Sequence, residues 1–223
     1  MRAPEFKGRN PEEIVRKDLT FDSAGYVYRG LSWLDYAKRQ TSICALQYAA
    51  LEIRQGIEQV LFEELVLSVG GALDRRDYER CKRDSTRLHK IVRRLSPDYE
   101  KLVSFVQAIM SIEPNAPRLI KWNHEVLMKH WRVASYYLHW GGEPGETFES
   151  PNWFVKGIEA VEAATAYLWN NMTSGYSGVM MPDKMQPEIR QAWEDYRAGN
   201  IDLEGVKRRA ELAQPILVRR LES

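Results

Sequence analysis

The chain has 223 residues, of which 44% are hydrophobic and 28% are charged, and its formal net charge at pH 7 is +1. These values are typical of a globular protein that buries a large core without disulfides. They exclude a protein that binds polyanions through bulk positive charge, so any nucleic-acid contact must come from a local patch.

The N-terminus and the cysteines favour a cytoplasmic protein. The first residues contain no apolar run of the kind found in signal peptides, and no apolar stretch is long enough to span a membrane. Cys44 and Cys81 form neither a CxxC pair nor part of a zinc-binding array. We therefore expect a reducing compartment and no membrane contact.

Helical periodicity is the main pattern along the first half of the chain. Residues 1–30 are polar and contain Gly and Pro, which predicts an arm that adds little to the core. From Leu31 to Val69 apolar residues recur every three or four positions, which predicts a long helix with a break near Gln40. Residues 74–95 and the segment that follows Ser96-Pro97 predict two further helices.

The second half is also helical by its pattern. Residues 117–140 and the segment that begins at Ser150-Pro151 predict two more long helices, and the run 170–183 predicts a loop because it is dense in Gly, Ser and Asn. Shorter helices follow, one of them with Asp202 as its N-cap. No alternation with a period of two indicates a strand.

We therefore predict an all-α fold, a bundle of four to five long helices with a C-terminal helical appendage. The predicted organisation has an N-terminal arm over 1–30, the bundle over 31–170, and a loop with the appendage over 171–223.

The helix predicted over 117–140 carries three of the four histidines. When each residue advances about 100°, one stripe is apolar and its residues are expected to face the core. These are Ile120, Leu127, Trp131, Ala134 and Leu138. A second arc is not needed by the core and could carry chemistry. It contains Lys121, Glu125, Arg132, Ser135, Tyr136 and His139.

Arg132 and His139 are the strongest candidate for catalysis within this arc. They lie two turns apart and within about 20° of each other, with Ser135 and Tyr136 between them. An imidazole can move a proton near pH 7, and a guanidinium can stabilise charge that grows on phosphate oxygens. The alternative is a C-terminal histidine that interacts with the helix dipole beside a solvated arginine.

A basic stripe is predicted on the helix over 74–95. Its members step by three and four residues, and they are Arg76, Arg80, Arg83, Arg87, Lys90 and Arg94. The local net charge between positions 74 and 94 is +5. The stripe predicts a binding site for RNA or for an acidic protein partner, and the alternative is a charged face that is only solvated.

Metal and cofactor sites find no support in the sequence. None of the histidines has the Glu-x-x-His spacing of a di-iron bundle, and His124-Glu125 lacks a second histidine because position 128 is Met. Phosphate-binding glycine motifs are missing as well. We expect no metal and no cofactor, and we interpret His130 as a core histidine.

A long first helix that carries YAALEIRQGIEQVLFE (Tyr48 to Glu63), two further helices, and a later helix that ends in RVASYYLH (Arg132 to His139) resemble a HEPN domain. The resemblance covers about residues 31–142. HEPN proteins are helical bundles that often dimerise, and many are metal-independent endoribonucleases with an Arg-x4-6-His motif. They occur in toxin–antitoxin and antiphage systems.

The resemblance implies that His139 acts as general acid or base on a ribose 2′-hydroxyl, that Arg132 steadies the phosphate, and that a homodimer completes the site. Ser135 and Tyr136 would position the substrate. In active members a polar residue usually follows the arginine, whereas Val133 stands here. Arg83 and His89 are the rival placement, since Asp84 satisfies that preference.

Three functions therefore remain open. The first is a HEPN-like RNA-acting protein of a bacterial defence or toxin–antitoxin system. The second is a catalytically silent helical module that binds or regulates another protein. The third is a nucleic-acid-binding protein that uses the basic helix 74–95 without chemistry.

Overall fold

The structure is a computed structural model, and it describes residues 5–16, 22–69, 75–76, 79, 90, 94, 97–116, 119–138, 151–175 and 182–221. Most of these residues are helical, and no β-strand occurs among them. The helices are α1 (Pro11–Ile14), α2 (Ser23–Gln40), α3 (Ile43–Val69), α4 (Tyr99–Met110), α5 (His124–Leu138), α6 (Pro151–Ser174), a 3-10 turn (Pro182–Lys184), α7 (Pro187–Ala198) and α8 (Leu203–Leu221). The all-α prediction is confirmed.

The chain forms two compact units, and each unit combines two separate stretches of sequence. Unit 1 consists of Met1–Leu61 and Trp122–Thr173, and unit 2 consists of Phe62–Lys121 and Ser174–Ser223. These borders differ from those of the predicted arm, bundle and appendage. Within the described part of the chain, no helix is long and apolar enough to cross a membrane.

Close packing of α2 against α3 forms one side of unit 1. A Cβ atom added at Gly30 would lie 2.8 Å from Ile53 Cδ1, and one added at Gly56 would lie 3.1 Å from Val27 Cγ2. Val27 and Ile53 are both fully buried. The two glycines therefore let the helices approach until their aliphatic side chains interlock.

A buried ion pair also joins these two helices. Arg29 Nε lies 3.0 Å from Glu52 Oε2 and donates to it, and the guanidinium lies over the Tyr26 ring. Burial raises the pKa of the Glu52 carboxyl, and the neighbouring Arg29 offsets part of that rise. Each charge of the pair is therefore balanced by the other, which offsets the free-energy cost of burying it.

Unit 2 has its own core, in which α4, α7 and α8 pack together. Phe105 is fully buried, and its ring centroid lies 5.4 Å from that of Trp193 and 6.0 Å from that of Tyr196. Tyr99 at the start of α4 is buried beside Glu64, and this burial and the carboxylate together raise the pKa of the Tyr99 phenol. On α4 the buried residues are Tyr99, Leu102, Val103, Phe105 and Ala108.

The predicted N-terminal arm is wrong for residues 23–30, which form the first half of α2. Asp22 accepts a hydrogen bond from the Gly25 N–H at 2.7 Å and caps the helix. Val27 on this turn belongs to the core, and so does Ile14 of α1. The predicted break near Gln40 is confirmed, because Thr41 adopts a left-handed conformation there.

Three other helix limits differ from the sequence predictions. Helix α4 begins at Tyr99 rather than at Pro97, and α5 begins at His124 rather than near Pro117. Helix α6 continues to Ser174, into the run predicted as a loop. In its last turns, Asn171 Nδ2 and the Thr173 hydroxyl donate hydrogen bonds to the carbonyls of Tyr167 and Trp169, four residues earlier.

Candidate functional site

Helix α5 has one open face, and Arg132 lies on it. Glu125, Lys129, Arg132 and Tyr136 are exposed. They are separated by four, three and four residues, which places them along one stripe of the helix. The inward stripe predicted from the sequence is confirmed, since Leu127 and Ala134 are buried and Trp131 and Leu138 are half-buried.

The start of α5 is fixed by a cap that the sequence analysis did not identify. Asn123 Oδ1 accepts hydrogen bonds from the N–H groups of Glu125 at 3.0 Å and Val126 at 3.1 Å. An asparagine directly before an amphipathic run is a known N-cap signal, so Asn123 indicates from the sequence alone that a helix begins at His124. The cap sets the register in which Arg132 faces outward.

A polar contact joins α5 to α3 one residue before Arg132. Trp131 Nε1 donates to Glu58 Oε1 at 2.8 Å, and Arg54 Nε donates to the same oxygen at 3.1 Å. The Arg54 guanidinium also lies 4.9 Å from the centroid of a Trp131 ring. The three side chains hold the middle of α5 against α3, and hence they fix the direction in which Arg132 projects.

Aromatic packing against α6 fixes the other side of α5. The ring centroid of Tyr137 lies 5.1 Å from that of Trp153, in an edge-to-face arrangement. Gly157 allows this approach, because a Cβ atom there would lie 3.0 Å from Tyr137 Cε1 and 2.7 Å from Leu46 Cδ2. Helix α5 is therefore held by α3 and α6, which leaves the Arg132 face open.

The Arg132 guanidinium forms no hydrogen bond or ion pair with another residue that the structure describes. Tyr136 lies one turn further on and is 37% exposed, with its ring packed edge-on against Tyr137. Together they present a planar cation and a phenol on one surface, a combination that can bind a phosphate and stack on a base.

The other two predicted site residues are placed differently. The Ser135 hydroxyl oxygen is buried and has no hydrogen-bond partner among the described residues, so it does not reach the open face. His139 lies outside the described residues, which end at Leu138 in this part of the chain. Arg132 and Tyr136 thus share the exposed stripe of α5, whereas the Ser135 hydroxyl is buried.

The two described histidines of α5 are less exposed than Arg132. His130 is half-buried with its ring centroid 5.2 Å from that of Tyr167, and burial, with a smaller effect of Lys129, lowers its pKa. His130 thus packs against Tyr167 of α6, but it is only half-buried and is not one of the buried core residues. His124 is buried at the start of the helix.

The basic stripe is described only in part. Arg76, Lys90 and Arg94 are helical and exposed, whereas Arg80, Arg83 and Arg87 lie outside the described residues, as does His89. No group of three or more His, Cys, Asp or Glu side chains in the described part of the chain is arranged to hold a metal ion.

Comparisons with protein-family models, curated proteins and solved structures gave no match to this chain.

Proposed function

We propose that this chain is a HEPN-like RNA-acting protein, a cytoplasmic, metal-independent endoribonuclease of a bacterial defence or toxin–antitoxin system that works as a homodimer. The proposal rests on the resemblance over about residues 31–142 and on one structural observation. That observation is the exposed Arg132 guanidinium, which lies on a helix held firmly from two sides and has no partner among the described residues.

An unpaired arginine on a rigid helix is suited to phosphate binding. The guanidinium is always charged near neutral pH and offers a planar set of N–H donors that matches two phosphate oxygens. Because no carboxylate competes for Arg132 within the described residues, the side chain can bind a phosphate without first breaking an ion pair. Lys129, one turn earlier on the same face, adds a second positive charge.

In the proposed reaction His139 removes the proton from a ribose 2′-hydroxyl. The 2′ oxygen attacks the adjacent phosphorus, and the bond to the 5′ oxygen of the next nucleotide breaks. That oxygen takes a proton from water and His139 later releases its own proton to water, so the products are a 2′,3′-cyclic phosphate and a 5′-hydroxyl. Arg132 stabilises the charge on the phosphorus oxygens in the transition state.

The basic stripe supports this function as a guide for the RNA backbone. Phosphate contacts supply affinity without sequence readout, and they need only accessible positive charge. Arg76, Lys90 and Arg94 are exposed and meet that requirement. Binding through such contacts falls steeply as the salt concentration rises.

The deciding experiment is RNA cleavage in the presence of EDTA. The proposal predicts slow cleavage by the wild-type protein, products that end in 2′,3′-cyclic phosphate, and no cleavage at a nucleotide whose 2′-hydroxyl is replaced by hydrogen. His139→Ala should abolish cleavage. If that variant folds normally and still cleaves RNA, His139 does not have the proposed role.

A helical protein-interaction module is the second candidate, and exposed apolar residues on α3 favour it. Tyr48 is 52% exposed and Leu51 is 38% exposed, one turn apart on the same helix. The Tyr48 ring packs against Trp33 of α2 at a centroid distance of 5.1 Å, so the patch is ordered. A chain that cleaves no RNA, and whose binding to a protein partner is lost in Tyr48→Ser, would establish this function instead.

A further inference from the structure

Unit 1 contains a cavity of about 280 Å³, and none of its described lining residues belongs to α5. Its walls come from the N-terminal segment, α2 and α6, and they include Phe6, Leu31, Leu34 and Trp169 as the apolar part. This volume is close to the lower limit of pockets that bind small molecules. The cavity is therefore large enough for a ligand of one or two rings.

The segment that covers the cavity is held in place by several contacts with α2. Tyr28 donates from its hydroxyl to the Glu5 carbonyl at 2.7 Å, and the Gly8 N–H donates to Asp35 Oδ2 at 2.9 Å. Arg9 lies over the Tyr28 ring and donates to the Ser32 hydroxyl at 3.0 Å. The cavity thus exists before a ligand arrives, which lowers the entropic cost of binding.

The aromatic wall is ordered in the same way. Trp169 contacts Phe6 edge-on at a centroid distance of 6.5 Å and stacks on Tyr28 at 6.2 Å. The buried Thr165 beside it donates its hydroxyl to carbonyls of its own helix, so it adds no free donor to the cavity. A flat hydrophobic ligand would gain most of its contact area from this wall.

Within the described part of the chain, some polar side chains around the cavity have hydrogen-bond or ion-pair partners, and others do not. Lys38 Nζ pairs with Glu162 Oε1 at 2.6 Å, and Asp35 Oδ2 accepts from Arg39 Nε as well as from the Gly8 N–H. The Lys7 ammonium and the Asn170 amide, by contrast, have no partner among the residues that the structure describes. One positive charge and one amide at the cavity are therefore available to bind a ligand.

We propose that this cavity binds a planar aromatic carboxylate of one or two rings. The ring lies against Trp169 and Phe6, and the carboxylate accepts hydrogen bonds from Lys7 and the Asn170 amide. The ligand is either a free aromatic acid or the C-terminal aromatic residue of a peptide, because both present the same ring and carboxylate. The inference does not depend on the proposed RNA cleavage.

Titration calorimetry on the full chain with 2-naphthoate tests the proposal, and naphthalene-2-methanol serves as the neutral analogue. The carboxylate should bind, and the alcohol should bind more weakly by about fivefold, the effect of one partly exposed ion pair. Equal affinity for the two compounds, or no binding of 2-naphthoate, would overturn the proposal. The peptide Gly-Gly-Phe and its C-terminal amide distinguish a peptide ligand from a free aromatic acid. If the natural ligand is a peptide C-terminus, Gly-Gly-Phe should bind and its C-terminal amide should not.

Two variants locate the site. Lys7→Gln should weaken 2-naphthoate binding by about fivefold, whereas Lys101→Gln, a change at an exposed lysine that does not line the cavity, should have no effect. Ala166→Trp fills the cavity from an exposed position on α6 and should abolish binding while circular dichroism shows an unchanged helix content. Equal binding by Lys7→Gln and Lys101→Gln, or normal binding by Ala166→Trp, would contradict the assignment.

Discussion

Gly157 is the point at which α6 approaches both α3 and α5, and Gly157→Ala tests whether this approach holds the Arg132 helix. A methyl group at position 157 would lie 2.7 Å from Leu46 Cδ2 and 3.0 to 3.1 Å from two atoms of the Tyr137 ring. Leu46 is fully buried and Tyr137 is 7% exposed, so the atoms that the methyl group would meet lie inside the core. The substitution must therefore shift these side chains or the helices that carry them.

Two opposing effects decide the magnitude. Replacing glycine by alanine inside a helix normally stabilises a protein by about 0.5 to 1 kcal/mol. Forcing a methyl group into a packed core costs about 1 to 3 kcal/mol. The steric cost should win, because the Tyr137 ring is also packed against Trp153. We expect a net destabilisation of about 1 to 2 kcal/mol, which lowers the melting temperature by roughly 2 to 8 °C in a chain of this length.

Urea unfolding followed by circular dichroism measures this effect, with Ala163→Gly as the matched control. Ala163 is exposed in the middle of the same helix, so its replacement reports only the helix propensity term, about 0.5 to 1 kcal/mol of destabilisation. If Gly157→Ala instead stabilises the protein by the amount that Ala163→Gly costs, the close approach at Gly157 is not present in solution.

Three other perturbations have expected results. Glu58→Ala should lower the free energy of unfolding by about 1 to 2 kcal/mol, because it leaves the Trp131 N–H and Arg54 without their shared acceptor. Glu58→Gln should lower it by only about 0.5 kcal/mol. Equal losses for the two variants in urea unfolding would contradict this explanation. Thr41→Gly should raise stability by about 0.5 to 1 kcal/mol, since Thr41 has a φ of 49° and a β-branched residue is strained there; a lower melting temperature would refute it. The pKa of His130 in the folded state lies below its ordinary value of 6.5, so this histidine is protonated more readily in the unfolded chain. Stability should therefore fall as the pH drops below about 6.5. His130→Gln should flatten this pH dependence, and an unchanged slope would exclude His130 as its cause.

The sequence predicts the faces of the helices better than their ends. The 100° periodicity placed Leu127 and Ala134 inward and Arg132 outward, because the core of a packed bundle imposes that pattern. It extended α5 too far toward its N-terminus. Ile120 is buried as predicted, but it lies with the buried Leu119 in a non-helical segment, and burial alone does not distinguish a helix from such a segment.

Glycines account for the largest difference in the N-terminal region. Gly25 and Gly30 made residues 23–30 resemble an irregular arm, since glycine weakens a helix. At Gly30 the cost is offset by the close packing against Ile53, which no local property of the sequence reveals. Asp22 was the available local signal for a helix start, because it is a favourable N-cap.

Ser135 shows why the candidate site could be only partly predicted. It lies seven residues after Met128 and thus on nearly the same strip of α5, and Met128 is 7% exposed. Contacts with other helices decide which edge of an open face is covered. The hydrogen bond between Trp131 and Glu58 also depends on contacts with another helix, since it joins residues 73 positions apart. Helical periodicity therefore predicts neither this hydrogen bond nor the burial of the Ser135 hydroxyl.

The rate of RNA cleavage by Arg132→Ala in EDTA tests the central claim most directly. Arg208→Ala is the control, because Arg208 is also an exposed arginine and lies on α8, outside the proposed site. Loss of a group that stabilises the transition state should slow cleavage by about 100-fold in Arg132→Ala, with no change in Arg208→Ala. Equal rates in the two folded variants would contradict the assignment of Arg132 to the phosphate.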